Sequence, residues 1–333
     1  MKVLAIETSC DETSVAIVEG NKIHCNLVAT QEAVHAPFGG VVPELASRRH
    51  IEILPILTKK TLQETHNTWE NIDGIAATSS PGLLGALLVG LSFAKALAFA
   101  RKLPFIGVNH LEGHLNSIFL NSTTAAYPFC ALLVSGGHTS LYHAKAFGSY
   151  QWLGATRDDA AGEAYDKVAK LLGLGYPGGP ILDRLATKGN PKAFSFKLPS
   201  FQNGEKFEFS FSGIKTAVRS LTLEQKNLSP AFQQDVAASF QETVTENLVA
   251  RLVAAAKHCK TKTIAVAGGV AANSALRKKL QELETQGFQV HIPALSLCTD
   301  NAAMIGYVGG KYLEQGKTSP WDLNATATQE LGL

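Results

Sequence analysis

The sequence predicts a mixed α/β protein built from two copies of one domain pattern. Residues 2–19 contain a buried strand, a polar turn and a second strand, and residues 129–146 repeat this order around a glycine turn. Apolar strands that alternate with helical patterns follow each opening, as in layered α/β domains. We therefore predict an N-terminal domain at residues 1–128 and a C-terminal domain at residues 129–333, with the two turns facing one another across a cleft.

The N-terminal domain opens with three strands, KVLAIET, SVAIVEG and a third near KIHCNLVA. A helix is predicted from Pro43, and a strand follows at DGIAATS. The next elements are an apolar helix at residues 83–100, a strand at FIGVN and a helix that carries the sequence NHLEGH. This alternation places helices against a sheet.

The apolar helix at residues 83–100 is almost long enough to cross a membrane. Lys95 lies inside it and the chain has no second segment of this kind, so the sequence favours a buried helix and no membrane association. Small residues recur at every fourth position and form a stripe where another helix can approach, inside the chain or in a partner: Ala86, Gly90, Ala94 and Ala98.

The C-terminal domain repeats the opening as FCALLVS, the turn GGHTS and LYHAKA. A third turn lies in TIAVAGGVAANSALRKKL, residues 263–280, where a strand leads through two glycines into a helix that begins near Asn273. Glycines let a ligand approach the backbone, and the helix N-terminus offers free N–H groups. Three such turns converging on one cleft predict an actin-like site for phosphate and nucleotide.

Residues 157–216 form an irregular insertion in which carboxylates lie beside glycine turns, an arrangement that can hold ribose hydroxyls or a cation. Asp158 and Asp159 are predicted to cap a helix or to lie in its first turn. Asp166 and Asp183 are predicted inside helices, where capping does not explain them.

His110 and His114 are one helical turn apart, so their imidazoles point the same way and suit a shared metal ion. Two histidines at this spacing also occur by chance. Asp300, just before a predicted helix, is the candidate third ligand, although its position equally suits an N-cap. Two histidines and one carboxylate leave coordination positions open to a substrate. A zinc peptidase is disfavoured because Leu111 stands where its general base belongs and Glu112 points away.

Composition excludes a strongly basic nucleic-acid binder, since the net charge is only +2, but it neither requires nor excludes contact with nucleic acid. The chain has five cysteines with no C-x-x-C spacing, which indicates a reducing compartment. All five are predicted to be small buried apolar residues. The start of the chain lacks the pattern of a signal peptide, and the expected location is the cytoplasm.

A series of long motifs occurs in order along the chain: ETSCDET, FGGVVPELASR, VNHLEGH, LLVSGGHT, GEAYDKVAKLLGL, YPGGP, FSFSGIKT, AGGVAAN and CTDNAAMIG. By these motifs the chain resembles the bacterial TsaD family, tRNA threonylcarbamoyladenosine transferases once described as O-sialoglycoprotein endopeptidases. The resemblance spans nearly the whole chain. It implies duplicated actin-like domains of the ASKHA, ribonuclease H-like class, with a central nucleotide cleft.

The resemblance also implies an activity and its site. The family transfers the threonylcarbamoyl group from threonylcarbamoyl-AMP to the N6 amine of the adenosine just 3′ of the anticodon, in tRNAs that read codons beginning with A. One divalent metal per subunit, Fe²⁺ or alternatively Zn²⁺, is implied on His110, His114 and Asp300. The positions that match adenylate-binding residues of the family are Leu133, Val134, Ser135, Gly136, Gly137, Asp166, Gly179, Asp183 and Asn273.

Implied partners are tRNA, a TsaB-like paralogue and a TsaE-like ATPase. The helices around residues 43–64 and 83–100 are the expected docking surface for the paralogue, and Gly90→Leu is expected to weaken docking without unfolding the chain. Rival interpretations are a phosphotransferase on the same fold, a metallopeptidase and a non-catalytic scaffold.

Three positions raise separate expectations. Ser80 stands where the family commonly has glycine, and it would be strained if that position needs a positive φ. His138 replaces the asparagine of archaeal and eukaryotic relatives, and hydrogen bonding within its turn is favoured over metal binding. Asp11, in the first turn, is a candidate for assisting proton removal or cation binding.

Overall fold

The computed structural model describes residues 1–121, 124–197, 207–225 and 227–332. These divide into two compact units, of which the first comprises residues 1–125 and 299–331 and the second residues 126–298 together with Gly332. The part of the predicted insertion at residues 198–206 lies outside the described residues.

The first unit contains a five-stranded mixed sheet with the order β3-β2-β1-β4-β5. Strands β1, β2 and β3 are antiparallel neighbours, whereas β4 and β5 run parallel to β1. Every β1 residue after Lys2 is buried, because helices cover both faces of the sheet. The strands are β1 (Lys2–Glu7), β2 (Glu12–Glu19), β3 (Lys22–Thr30), β4 (Gly74–Ser80) and β5 (Phe105–Asn109).

The second unit repeats this sheet as β8-β7-β6-β9-β10. Its first three strands are again antiparallel neighbours, and the last two again run parallel to the first. The repeated order and directions confirm the predicted duplicated α/β fold. The strands are β6 (Phe129–Val134), β7 (Thr139–Ala146), β8 (Ser149–Ala155), β9 (Thr263–Ala267) and β10 (Gln289–His291).

Helices pack on both sheets. In chain order the helices are α1 (Glu32–His35), α2 (Pro43–Glu64), α3 (Leu84–Arg101), α4 (His110–Asn116), α5 (Ala161–Leu171), α6 (Gly178–Ala186), α7 (Ser212–Leu223), α8 (Pro230–His258), α9 (Ser274–Glu284) and α10 (Ala302–Glu314).

The last helix, α10, lies in a different unit from the one predicted. The predicted division assigned residues 299–333 to the C-terminal domain. The structure instead packs α10 on β1, β2 and β4 of the first unit. Glycines permit this close packing, since a Cβ at Gly309 would overlap the side chain of Ala76. The following tail continues along the same unit, where Ser319 N donates to Phe105 O and Thr326 N donates to Ser79 O.

Helix α3 carries its small-residue stripe towards the sheet of its own unit. In the part of the chain that the structure describes, α3 is the one helix whose length and apolar character would allow it to cross a membrane. A single such helix is weak evidence for a membrane protein. All four stripe residues are buried, and a Cβ at Gly90 would overlap Thr8 Oγ1. The expectation that Gly90 contacts a partner is therefore wrong, because this face already packs inside the chain.

Gly90→Leu is now expected to destabilise the protein. The new side chain must displace Thr8, whose hydroxyl donates to Ala86 O, and overpacking of this kind costs about 1–3 kcal/mol. Chemical denaturation measures the free energy of unfolding. Leu88→Ala on the more exposed side of α3 is the control and should change it little. Equal stability of Gly90→Leu and the wild type would contradict this packing.

Three local expectations have clear outcomes. Ser80 has no positive φ, and its hydroxyl donates to Gln329, so the serine is unstrained. Asp158 caps a helix other than the one that follows it, because its carboxylate accepts the N–H groups of Phe211 and Ser212 at the start of α7. Asp159 is neither a cap nor a first-turn acid but an ion-pair partner of Lys167.

Candidate active site

The candidate metal centre lies in the first unit, where β5 leads directly into α4. The side chain of Asn109 fixes this junction by accepting the N–H groups of Leu111 and Glu112. His110 and His114 consequently project from one side of a short helix, with ring centroids 4.6 Å apart. Both side chains are buried, so they are held in place by packing.

Asp300 reaches both imidazoles. Its Oδ1 lies 3.0 Å from His114 Nε2 and 3.5 Å from His110 Nε2. The N-cap of α10 is Asn301, which accepts Met304 N, so the alternative role of Asp300 as a cap is wrong. One ligand atom from each of the three residues lies within 4.8 Å of the others, and this donor set fits a divalent ion.

Glu7, at the end of β1, is a member of this group that the sequence did not single out. Its carboxylate is fully buried, and Oε2 lies 3.0 Å from His110 Nδ1. Thr78 Oγ1 donates to the same oxygen at 2.5 Å, and Ser9 N donates to the other oxygen. A carboxylate on the far nitrogen of a metal-binding histidine orients the ring and raises its basicity. The sequence signal that could have identified Glu7 is an acidic residue at the end of an otherwise apolar strand.

The charges in this group are strongly interdependent. Burial opposes the charge on His110, yet Asp300 and Glu7 outweigh it and raise the pKa of His110 well above its usual value. Burial raises the pKa of both carboxyls, but the contact with His110 dominates and lowers them. Burial lowers the pKa of His114. A metal ion must therefore compete with a proton for His110, and metal affinity should fall as pH falls.

Two further contacts define what surrounds the histidines. Glu112 is buried and accepts a hydrogen bond from Tyr312 Oη at 2.8 Å, so it is engaged with α10, and the peptidase interpretation loses its general base. The second nitrogen of His114, Nδ1, is buried and has no hydrogen-bond partner among the described residues. The orientation of His114 thus depends on packing and on Asp300.

Glu7→Gln is expected to lower metal affinity by about 10–100-fold, the usual effect of losing an outer carboxylate. The amide keeps the shape of the side chain but removes the charge that faces His110 Nδ1. Isothermal titration with Zn²⁺ measures the affinity, and Glu44→Gln on the exposed start of α2 is the control. An unchanged affinity in a folded Glu7→Gln protein would remove Glu7 from the metal centre.

The second unit contains the glycine turn that follows β6. Leu133 and Val134 are fully buried, so only their backbone can face a ligand. Gly136 and Gly137 have open space where a side chain would lie. The backbone of His138 closes the turn, because Ser135 N donates to His138 O and His138 N donates to Ser135 Oγ. Hydrogen bonding of the His138 side chain within the turn stays a prediction.

Helices α5 and α6 bring two of the predicted residues beside one another. Asp166 lies on α5, as predicted, and its Oδ1 accepts the N–H of Gly178 at 2.7 Å. This bond fixes the N-terminus of α6, where Gly179 faces open space. The start of α5 also packs tightly on the glycine turn, because a Cβ at Gly162 would overlap Ser135 O.

Asp183 and Asn273 meet across α6 and the start of α9. Asn273 Nδ2 donates to Asp183 Oδ1 at 3.2 Å, while Asn273 Oδ1 caps α9. Gln241 Oε1 accepts the same amide at 2.7 Å from the buried side of α8. No local motif marks Gln241, because it lies in the middle of a long helix. Within this unit the structure thus joins the glycine turn, the N-termini of α6 and α9, and the carboxylate of Asp183.

A family model matches residues 22–307 of the chain, and its description is "TsaD: tRNA N6-adenosine threonylcarbamoyltransferase". The chain belongs to this family. The match confirms the resemblance found in the motifs and, with it, the predicted activity of a tRNA-modifying acyltransferase. A metal is consistent with this TsaD membership and with the histidine and aspartate group.

Individual relatives agree with the family match. A tRNA N6-adenosine threonylcarbamoyltransferase of Thermodesulfovibrio yellowstonii is 48% identical over 331 residues, which cover 98% of this chain and 99% of the relative. The enzyme of the same name from Trichodesmium erythraeum is 53% identical over 319 residues, covering 92% and 98%. The TsaD assignment therefore extends over nearly the whole chain.

Solved structures support the fold. HypF of T. kodakarensis matches with a TM-score of 0.63 over 94% of this chain and 48% of its own, at 15% sequence identity. Full-length HypF in a phosphate- and nucleotide-bound form matches with a TM-score of 0.61. The chain thus spans about half of HypF, and the likeness concerns architecture alone.

Proposed function

We propose that the chain takes threonylcarbamoyl-AMP as donor and acts on the adenosine just 3′ of the anticodon in tRNAs that read codons beginning with A. The glycine turn with its two helix N-termini and Asp183 carries this proposal, because it is a polar site suited to an adenylate. Such a donor already contains an activated acyl group. The chain then needs no nucleophilic side chain.

The substrate-binding residues are assigned by their surroundings in the second unit. Backbone groups of Leu133 to Gly137 line the turn, where Gly136 and Gly137 leave room for phosphate oxygens. Gly179 leaves similar room at the N-terminus of α6, which Asp166 fixes. Asp183 and Asn273 are polar partners for the hydroxyls of the ribose.

The metal ligands are His110, His114 and Asp300, which hold one divalent ion per subunit. Two imidazoles and a carboxylate suit Fe²⁺, with Zn²⁺ as the alternative. An ion with open positions supplies Lewis-acid polarisation of the reacting carbonyl or a binding point for the threonyl group. Glu7 contacts the ring of His110, and both histidine ligands are buried.

The reaction is aminolysis of a mixed anhydride. The N6 amine attacks the carbamoyl carbon, AMP leaves with the electrons of the broken C–O bond, and the amine loses a proton. Because AMP is a good leaving group, positioning two substrates and stabilising the developing charge supply most of the catalysis. Asp11, in the first turn, is the candidate for assisting removal of this proton or for binding a cation.

Partner binding is assigned to the outer faces of α2 and α3. Ile51 and Ile56 on α2 and Leu84 on α3 are large apolar residues that remain about half or more exposed. A TsaB-like paralogue could cover these apolar side chains. The other proposed partners are a TsaE-like ATPase and tRNA. The cytoplasm, where tRNA is modified, is the assigned location.

The donor is tested by supplying it directly. Purified chain with its TsaB-like and TsaE-like partners receives unmodified tRNA and preformed threonylcarbamoyl-AMP, without the enzyme that makes it. Mass spectrometry of the digested tRNA should show threonylcarbamoyladenosine. Product that forms only when threonine, bicarbonate, ATP and the synthase are all added would refute this donor. Phosphorylation of an acceptor without acyl transfer would favour the phosphotransferase rival.

A further inference from the structure

Two histidines outside the metal centre are buried in the first unit. His35 lies at the end of α1 and His50 lies on α2, and neither side chain reaches solvent. Gln31, just before α1, is buried as well. Buried polar side chains are almost always hydrogen-bonded, so their partners show what these three residues hold in place.

Together they form a continuous network of hydrogen bonds. Val42 N donates to His35 Nδ1 at 3.2 Å, and His35 Nε2 lies 3.2 Å from Gln31 Oε1. Gln31 Nε2 lies 3.3 Å from His50 Nδ1. His50 Nε2 lies 2.9 Å from Cys10 O. This buried network, which comprises His35, Gln31 and His50, therefore runs from the backbone of Val42 to the backbone of Cys10.

The backbone groups at its two ends fix the direction of each bond. The N–H of Val42 can only donate, so His35 Nδ1 accepts and the neutral ring carries its proton on Nε2. The carbonyl of Cys10 can only accept, so His50 also carries its proton on Nε2. One orientation of the Gln31 amide serves both rings, with its oxygen at His35 and its nitrogen at His50. Burial lowers the pKa of His50, although the bond to Cys10 O opposes this effect, and the neutral ring is favoured.

The network ends on the first turn, residues 8–11, which joins β1 to β2. His50 donates to Cys10 O, and Gln31 N donates to the next carbonyl, Asp11 O, at 3.2 Å. One buried network thus holds two adjacent carbonyls of this short turn. Cys10 contributes its backbone here. The residue itself is partly exposed, so the prediction that all five cysteines are buried is wrong.

The first turn also borders the metal centre. Ser9 Oγ lies 3.1 Å from His110 Nδ1, and Ser9 N donates to the carboxylate of Glu7. Asp11, the candidate for assisting proton removal, follows Cys10 directly. A displaced Cys10 carbonyl would therefore move groups on both sides of it, and a misplacement of about 1 Å can cost about 100-fold in rate.

We propose that His50 is a positioning residue of the transfer reaction. Through its bond to Cys10 O it holds the first turn in the arrangement that acyl transfer needs. Gln31 and His35 keep His50 in the tautomer that can donate this bond. This inference rests on the transferase function, but it requires neither a particular donor nor a particular metal.

The test compares three variants in the reconstituted transfer assay. His50→Leu removes the donor to Cys10 O, whereas His50→Gln keeps an N–H near the place of Nε2. Thr61→Val is the matched control, because Thr61 is buried on the same helix and donates to Val15 O in β2. Circular dichroism shows whether each variant is folded, and chemical denaturation measures its free energy of unfolding.

His50→Leu should lower kcat by about 10–100-fold with little change in KM for tRNA. His50→Gln should recover most of this loss, and Thr61→Val should keep the wild-type kcat even where it loses stability. A purely structural role would lower stability without this split between the variants. The proposal is overturned if folded His50→Leu keeps the wild-type kcat, if His50→Gln is as slow as His50→Leu, or if Thr61→Val slows transfer equally.

A second measurement needs no activity. Long-range ¹H–¹⁵N NMR spectra of the full chain, labelled with ¹⁵N-histidine, identify the tautomer of each ring. At pH 7 both His35 and His50 should be neutral, with the proton on Nε2. A proton on Nδ1 of His50, or a charged ring, would overturn the network. A wild type that shows these tautomers but makes no threonylcarbamoyladenosine would contradict the transferase assignment and, with it, this role of His50, but not the network.

Discussion

Asp300→Ala is expected to lower metal affinity by more than about 100-fold and to abolish transfer to tRNA. Asp300 is the only carboxylate that reaches the Nε2 atoms of both His110 and His114 in the described structure. Loss of an outer partner already costs about 10–100-fold, and loss of a ligand should cost more. Asp300 is also the partner that most stabilises the protonated form of His110. Without it, a charge on His110 would be buried with less compensation.

Elemental analysis of the purified protein and titration with Zn²⁺ measure this effect. Asp322→Ala, an exposed acid in the same unit, is the matched control and should retain metal and activity. Asp300→Asn keeps the shape of the side chain and separates loss of charge from loss of packing. Full metal content in a folded Asp300→Ala protein would show that the ion binds elsewhere.

Asp183→Ala is expected to lower the affinity for AMP by about 10–100-fold. Hydrogen bonds to a charged group contribute about 1.5–3 kcal/mol, and a carboxylate facing ribose hydroxyls would lose this amount. Asp183 also accepts Ser274 N and Ser274 Oγ, so its loss loosens the start of α9. Both effects act on the same proposed site.

Isothermal titration with AMP measures the affinity. Asp235→Ala is the control, because Asp235 lies in the same unit and likewise accepts a backbone N–H, that of Asn190. It should lose some stability but keep AMP affinity. Equal AMP affinities of Asp183→Ala and Asp235→Ala would exclude Asp183 from the adenylate site.

The sheets and the histidine pair were predictable because their signals are local. Buried strands such as FCALLVS have a continuous apolar run, and two histidines at one-turn spacing need only a helix. The place of α10 was not predictable in this way. It depends on glycines that let the helix approach β1 and β4 after the chain has left the first unit and returned.

The supporting residues of the site were missed for the same reason. Glu7 contacts His110, and Gln241 contacts Asn273, only through tertiary packing. The role of the small-residue stripe was left open between an internal and an external partner, because a stripe has the same periodicity in both cases.

The most direct test of the central claim is formation of threonylcarbamoyladenosine by the reconstituted system. Wild type and His110→Ala are each combined with TsaB-like and TsaE-like partners, unmodified tRNA, threonine, bicarbonate, ATP and the synthase, and the nucleoside is quantified by mass spectrometry. We predict product from the wild type and none from the folded variant. No product from metal-loaded wild type with active partners would contradict the assignment as a transferase, and equal product from both would contradict the metal centre.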